Sequence, residues 1–466
     1  MTFDYTTYLS PFTWRYGSAA MRDIWSETHK RQLMRRVWVA LAAAQHKAGL
    51  VTAAQLTDLQ SHMTQVDIAR SQEIELETRH DVMAEIRCFA EQCPVGGGII
   101  HLGATSADIT DNVDVLRLRE AAVLIQEQLN TLLHHLADKI EVTAHIPIMA
   151  FTHIQPAEPT TLGYRFAVYA QDLLDDWHDL QTLIVNLRGK GLKGAVGTQA
   201  SYDELLHDSK LTAQEMEAEA MVMLALPYFP IATQTYTRQQ DLRIQQVLAG
   251  IAASLHKFAL DFRILQTPSI GEWAEPFGKN QVGSSAMPFK RNPINTENIC
   301  SIARYVAGLP AMAWDNASQA ILERSLDDSA NRRLFQAEGF LATEEMLRRA
   351  VRLVAEMGLD EAAMARNLAI YGPFAATERV LMALAKAGAS RQEGHEWIRE
   401  ASLQAWGALQ SGEANPLVQL LTEDERVTAY LSPALIRELM EAGEHVGTAV
   451  SRALAFAETI RQSVNN

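Results

Sequence analysis

Seven apolar residues, Val115, Leu118, Ala122, Ile125, Leu129, Leu132 and Leu136, recur in alternating steps of three and four. That spacing draws one continuous stripe along a helix of about six turns. A strand cannot use it, because strand side chains alternate with period two. Ile244, Leu248, Ile251, Leu255, Phe258, Phe262 and Leu265 repeat the pattern, and Leu162, Phe166, Tyr169, Leu173, Trp177 and Leu180 nearly do. Shorter runs hold Ile299, Ile302, Val306 and Leu309, then Phe340, Leu347, Val351 and Val354. About five long amphipathic helices predict a bundle. Stripes this long bury more than one neighbour covers, so association with copies of the chain is expected.

The flanking regions read differently. Trp25, Met34, Val37, Trp38 and Leu41 place a compact helical region before the bundle, and Pro94 to Gly98 breaks it. A polar loop, His101-Leu-Gly-Ala-Thr-Ser106, follows. Beyond Met357-Gly358 the stripes weaken, with Gly372-Pro373, Gly388 and Pro416 as expected punctuation. The chain therefore predicts an all-α protein of three helical domains: 1–106, a central long-helix bundle over 107–357, and 358–466. For 466 residues this agrees with roughly 150 residues per domain.

A net charge of −15 argues against nucleic acid or a membrane surface as partner, since either asks for a basic face. Three cysteines, Cys88, Cys93 and Cys300, make no disulfide framework and no Cys-x-x-Cys pair. The start, Met1 to Tyr8, lacks a basic segment followed by an apolar run, and no uninterrupted apolar stretch approaches the roughly 20 residues of a membrane span. A soluble, cytosolic protein is expected.

Gly283-Ser-Ser-Ala-Met-Pro-Phe-Lys-Arg-Asn-Pro293 cannot continue a helix and reads as a loop. Ser284 and Ser285 supply hydroxyls, Lys290 a positive charge and Asn292 a neutral donor and acceptor, a set suited to an anion. Two further polar loops, Thr105-Ser106 with Asp108 and Thr152-His153 with Gln155-Pro156, are expected at the ends of long helices, where a bundle gathers distant side chains and helix N-termini favour anions. Each has a plainer alternative. A Gly-Ser-Ser turn is commonly a solvated connection, His153 a hydrogen-bonded loop histidine, His80-Asp81 a structural pair, and Arg15, Arg324, Arg332 and Arg333 solvated charges. Gly189-Lys-Gly-Leu-Lys-Gly194 matches a dinucleotide-binding string but follows a helix with no strand before it, so an irregular crossing near the site is the better reading.

Gly-Ser-Ser-x-Met-Pro-x-Lys-x-Asn-Pro resembles the signature of the fumarase/aspartase superfamily of lyases, with every fixed position present. The surrounding set narrows the resemblance to the adenylosuccinate lyase family: Arg15-Tyr16, Arg79-His80-Asp81, the His101–Ser106 loop, Thr152-His153-x-Gln-Pro, Gly197-Thr-Gln-Ala-Ser201, Gln234-Thr-Tyr236 and Leu326-Asp-Asp-Ser329-Ala-Asn-Arg-Arg333. One departure is Asn298, neutral where several relatives carry a basic residue, which bears on substrate preference.

The resemblance implies β-elimination of fumarate from adenylosuccinate and from the succinylated aminoimidazole carboxamide ribotide (SAICAR) of purine synthesis, leaving AMP and AICAR. It implies Ser284 as general base, His153 as general acid, His80 assisting at the substrate, and Lys290 and Asn292 on the succinyl carboxylates. Arg15, Tyr16, Ser329 and Arg333 match phosphate contacts, and Arg324 and Gln234 line the substrate. Arg79, Asp81, Thr105, Ser106, Thr152, Ser285 and Met287 complete the substrate-binding set. No cofactor and no metal are implied, and the expected assembly is a homotetramer with sites shared between subunits. The rivals are another superfamily lyase, such as an argininosuccinate lyase, which needs no phosphate pocket, and a scaffold protein that has lost its acid or base.

Overall fold

The computed structural model of the chain describes residues 6–465. Met1 to Tyr5, on which part of the reading of the chain start falls, lie outside the described residues. The five sequence stripes fall on five long helices. With Glu27–Ala48 as α1 and Asp81–Gln92 as α2, these are α3 Ser106–Thr143, α4 Leu162–Asn186, α5 Gln239–Leu265, α6 Ile294–Ser318 and α7 Asp327–Glu356; α8 spans Glu361–Lys386. Each member of the first stripe is 1% exposed or less, so the 3.6-residue period reports true burial.

The protein is mainly helical rather than all-α. Pro147–Thr152 (β1) and Gln155–Thr161 (β2) form an antiparallel hairpin, and Trp273–Ala274 pairs with Gly358–Leu359. The expectation of a helix-end loop at Thr152-His153 is thus corrected: Thr152 pairs with Gln155, leaving His153 and Ile154 as a two-residue turn. Pro156 and Pro159 are tolerated because a two-stranded ribbon consists of edges. A second correction concerns Gly372-Pro373, which lie inside α8 instead of ending it. Pro373 removes one helical hydrogen bond, while Gly372 allows close approach of Ala442, whose Cβ would stand 2.6 Å from an added Cβ. α8 is long and apolar enough to cross a membrane by length and composition, yet its Ala376, Val380, Leu381 and Leu384 sit in a packed apolar cluster with Leu417, Leu421 and Ile436.

By contacts the chain divides into two compact units, each gathered from three stretches. The first contains residues 1–129, 176–255 and 301–348; the second contains 130–175, 256–300 and 349–466. In the first, Trp38 stacks on Phe89 and Trp25 lies against Phe340, with ring centroids 6.4 and 5.8 Å apart. In the second, fully buried Trp273 stacks on Phe166 at 5.1 Å and meets Phe262 edge-on at 5.3 Å. Aromatic pairs of this geometry add about 0.5–1.5 kcal/mol each beyond the area they bury.

Candidate active site

In the first unit, His80 is the N-cap of α2, and its Nδ1 accepts the Met83 backbone N–H at 3.3 Å. A neutral imidazole that accepts at Nδ1 carries its proton on Nε2, so the half-exposed ring presents a donor. Arg79 precedes it, exposed and in the left-handed region at φ 52°. Asp81 Oδ1 accepts the Val82 N–H at 2.8 Å, and Oδ2 accepts from Arg333 Nη2 at 3.0 Å. Burial raises the Asp81 carboxyl, but Arg333 and Lys30 outweigh it and hold the group below its usual range.

The Thr105-Ser106 loop opens α3 and is pinned by Asp108, which is fully buried. Asp108 Oδ2 accepts the Thr105 N–H at 3.1 Å and the Tyr202 hydroxyl at 3.1 Å. Its Oδ1 accepts Lys190 Nζ at 2.5 Å and the Lys193 and Gly194 N–H groups at 3.0 and 3.2 Å. The glycine-rich string Gly189–Gly194 therefore does cradle an anion, but the anion is this chain's own carboxylate. Upstream, His101 Nδ1 accepts the Trp38 Nε1–H at 3.0 Å, and burial lowers the imidazole to about 4.

Gln234 N–H donates to the Glu323 carbonyl at 3.2 Å, joining its loop to the one that carries Arg324. Arg324 Nη1 donates to Asp328 Oδ1 at 2.8 Å, and half-buried Ser329 follows in the first turn of α7. Arg332, one candidate for a solvated charge, is 6% exposed and bonded to Asp241 at 2.7 Å. Arg15 is exposed over the rings of Trp14 and Tyr16, at 5.7 and 5.9 Å. Its loop is tied to α7 where Gly17 N–H meets Glu345 and Ser18 N–H meets Glu344. That is 11 residues beyond Arg333, about 16 Å at 1.5 Å per residue. So Asp81 is brought to Arg333 and Gln234 to the Arg324 loop, while Arg15 and Tyr16 are held farther along the same helix.

In the second unit, His153 sits exposed at the hairpin tip beside exposed Thr152. Both turn residues are left-handed, His153 at φ 55° and Ile154 at φ 61°, as a type I′ hairpin turn requires. A β-branched residue there is strained. Ile154 also lines a cleft of about 370 Å³ with Phe151, Tyr164, Arg165 and Lys257. A cleft of about 690 Å³ in the first unit, between α4 and α5, is lined by none of the candidate residues.

The loop of residues 283–293 folds back on itself. Asn292 Nδ2 donates to the Gly283 carbonyl at 3.0 Å, and a Cβ at Gly283 would stand 2.0 Å from the Lys290 carbonyl oxygen, so only glycine fits. Ser284 Oγ accepts the N–H groups of Ala286 and Met287 at 3.3 and 3.0 Å. Ser285, Met287 and Lys290 are exposed. The N-terminus of α6 follows at once, and its free N–H groups are taken by Glu275: Asn295 and Thr296 donate at 3.0 and 2.8 Å. Here too an internal carboxylate occupies the position that a helix dipole offers to an anion. Four residues into that helix, Asn298 has a buried Oδ1 with no hydrogen-bond partner among the described residues.

Sequence reasoning missed Asp111, Arg238, Asp328 and Glu275. Asp108 carried a local signal, an acid three residues after Thr105 in the position of a capping box. Glu275 carried none, since its partners lie 20 residues on. For metal ligation, Asp58, His62 and Cys93 bring ligand atoms within 4.8 Å of one another. The Asp58 carboxylate is already spent on Val95 and Gly96 N–H groups, both at 2.8 Å, and burial pushes the Cys93 thiol up to about 11, so protein hydrogen bonds account for this cluster.

Comparison with known proteins adds an independent line. Residues 14–308 match a family model described as Lyase, and residues 373–453 match one described as Adenylosuccinate lyase C-terminus. The chain is 35% identical to the adenylosuccinate lyase of Saccharomyces cerevisiae, over 99% of this chain and 96% of that one. It is 34% identical to that of Archaeoglobus fulgidus, over 95% and 96%. Among solved structures, 3-carboxy-cis,cis-muconate lactonizing enzyme from Pseudomonas putida superposes with a TM-score of 0.84 at 25% identity, covering 97% of this chain and 99% of that one. Fumarate lyase from Mesorhizobium sp. BNC1 gives 0.83 at 23%, covering 97% and 99%, and shows the same fold.

Proposed function

Because the chain belongs to the adenylosuccinate lyase family, we propose that it eliminates fumarate from adenylosuccinate to give AMP, and from SAICAR to give AICAR. Removing a proton beside a carboxylate builds a second negative charge there, so the chemistry needs a base, positioned donors and a proton for the departing amine. Ser284 is the base in this reading. The observation that carries it is the pair of backbone N–H groups aimed at Ser284 Oγ, which stabilise the oxyanion over the hydroxyl. Lys290, exposed on the same loop, adds positive charge for the substrate carboxylate, helped by Asn292. His153 gives its proton to the amine, and His80 supplies an Nε2–H donor to the substrate.

Arg15, Tyr16, Ser329 and Arg333 hold the phosphate of the nucleotide end, where guanidinium forks suit a phosphate, and Arg324 and Gln234 line the substrate there. Arg79, Asp81, Thr105, Ser106, Thr152, Ser285 and Met287 complete the contacts. The active form is a homotetramer whose sites draw on more than one copy, and the division into 1–106, 107–357 and 358–466 describes its organisation along the chain. A cytosolic setting fits three buried, unbridged cysteines.

The test is fumarate release, followed by absorbance, from adenylosuccinate, SAICAR and argininosuccinate supplied separately. Release from the first two alone is expected. No release from an assembled protein, or release from argininosuccinate only, overturns the reading.

A further inference from the structure

Arg238, just ahead of α5, is 4% exposed and belongs to none of the groups assigned above. It uses both edges of its guanidinium. Nη1 and Nη2 fork onto Asp111, at 3.0 Å to Oδ2 and 3.4 Å to Oδ1. Nε donates to Asp328 Oδ2 at 2.7 Å. Asp111 Oδ2 also accepts the Tyr236 N–H at 2.9 Å, which fixes the loop containing Gln234. The other oxygen of Asp328, Oδ1, takes Arg324 Nη1. One buried arginine thus sits between two carboxylates, each of which holds a segment of the nucleotide end.

The consequence for Arg324 is electrostatic as well as geometric. Asp328 is shared, one oxygen to each arginine, so Arg324 is anchored by a single nitrogen without being fully neutralised. Without Arg238, Asp328 would turn more of its charge on Arg324, and an incoming anion would compete with a buried carboxylate. A lysine cannot substitute: its point charge cannot span two acceptors at this angle. Asp328 remains ionised throughout, because burial raises its carboxyl but Arg238, Arg324 and Arg332 together bring it below its usual range.

We propose that Arg238 is a positioning residue for anion recognition, holding Asp111 and Asp328 so that Arg324 and the Gln234 loop present their free donors to the substrate phosphate. The proposal rests on the reading of Arg324 as a residue lining the substrate, and assigns it to the phosphate end. The experiment measures inhibition of the assembled enzyme by AMP, adenosine and fumarate for wild type, Arg238→Lys and Arg324→Ala. For Arg238→Lys the expected result is an AMP inhibition constant raised about tenfold, the worth of one charge-assisted hydrogen bond. Inhibition by adenosine and fumarate stays within about twofold, as expected when only the phosphate contact is disturbed. An unchanged constant for AMP, or an equal rise for adenosine, overturns the proposal. Arg324→Ala separates the two layers: if it leaves AMP inhibition unchanged, the phosphate reading itself fails, whereas a rise in Arg324→Ala alone removes only the role of Arg238. Should Arg238→Lys not assemble, Asp111→Asn keeps the acceptor for Tyr236 N–H and weakens only the fork, and the same AMP-selective pattern at about threefold is expected. Its absence there overturns the proposal too.

Discussion

Two loops of this chain combine glycine with lysine, and they do opposite things with them. In Gly189–Gly194, Lys190 is fully buried against Asp108, and the Lys193 and Gly194 N–H groups point at the same carboxylate. In the loop of residues 283–293, Lys290 is exposed with no ion pair among the described residues, and the N–H groups of Ala286 and Met287 meet a serine oxygen that carries no charge at rest. The first loop has its anion built in; the second leaves room for one to be made. What separates them is a carboxylate contributed from 82 residues away, which no local composition reveals.

The largest effect expected from breaking this contrast lies in the second loop. Ser284→Ala should lower turnover by about 10²- to 10⁴-fold, the scale of losing a general base, with unchanged melting temperature and assembly. Full turnover in Ser284→Ala with loss in Ser285→Ala would move the base to the neighbouring hydroxyl. The first loop should respond in stability instead. Asp108→Asn leaves the Lys190 ammonium buried without its counter-charge and should cost about 3–5 kcal/mol in denaturant unfolding. Lys290→Met should cost less than about 0.5 kcal/mol, as an exposed charge does. Equal costs at the two lysines would erase the distinction.

A smaller, pH-dependent effect belongs to the Thr105 loop. His101 titrates near 4 in the folded chain, chiefly through burial, against about 6.5 unfolded. Between those values the unfolded state binds more protons, so stability falls as the pH is lowered from 6.5 towards 4, by at most about 3 kcal/mol. In His101→Asn, which keeps an acceptor for Trp38, the slope of melting temperature against pH over that window should flatten. A slope identical to wild type would assign the acid lability elsewhere. The smallest effect has the opposite sign: Ile154→Gly relieves a strained left-handed residue and should raise stability by about 1 kcal/mol in unfolding measurements. Destabilisation would mean that the packing of Ile154 in its cleft outweighs the strain.

The long helices were legible because burial imposes a 3.6-residue period on many positions at once, and Leu118 through Leu136 obey it without exception. The hairpin was not, since Thr152 to Gln155 forms a turn from His and Ile where glycine and asparagine would have signalled one. Family motifs led to His80, Asp81, Arg324 and Arg333, residues with distinct chemistry at fixed spacings. The carboxylates that hold them in place stayed hidden for a shared reason. Asp111 meets Arg238 across 127 positions and Asp328 meets it across 90, and a sequence read along its length carries no trace of such closures.

Asp108 has one more consequence, visible to deuterium. The amides of Lys193 and Gly194 lie in a stretch without regular secondary structure, and ordinary loops of that kind exchange their hydrogens in the first seconds. Here both amides end on a carboxylate with no access to solvent, so exchange must wait for α3 and the glycine-rich segment to part. By the clock of isotope exchange, this loop belongs to the slowest part of the protein.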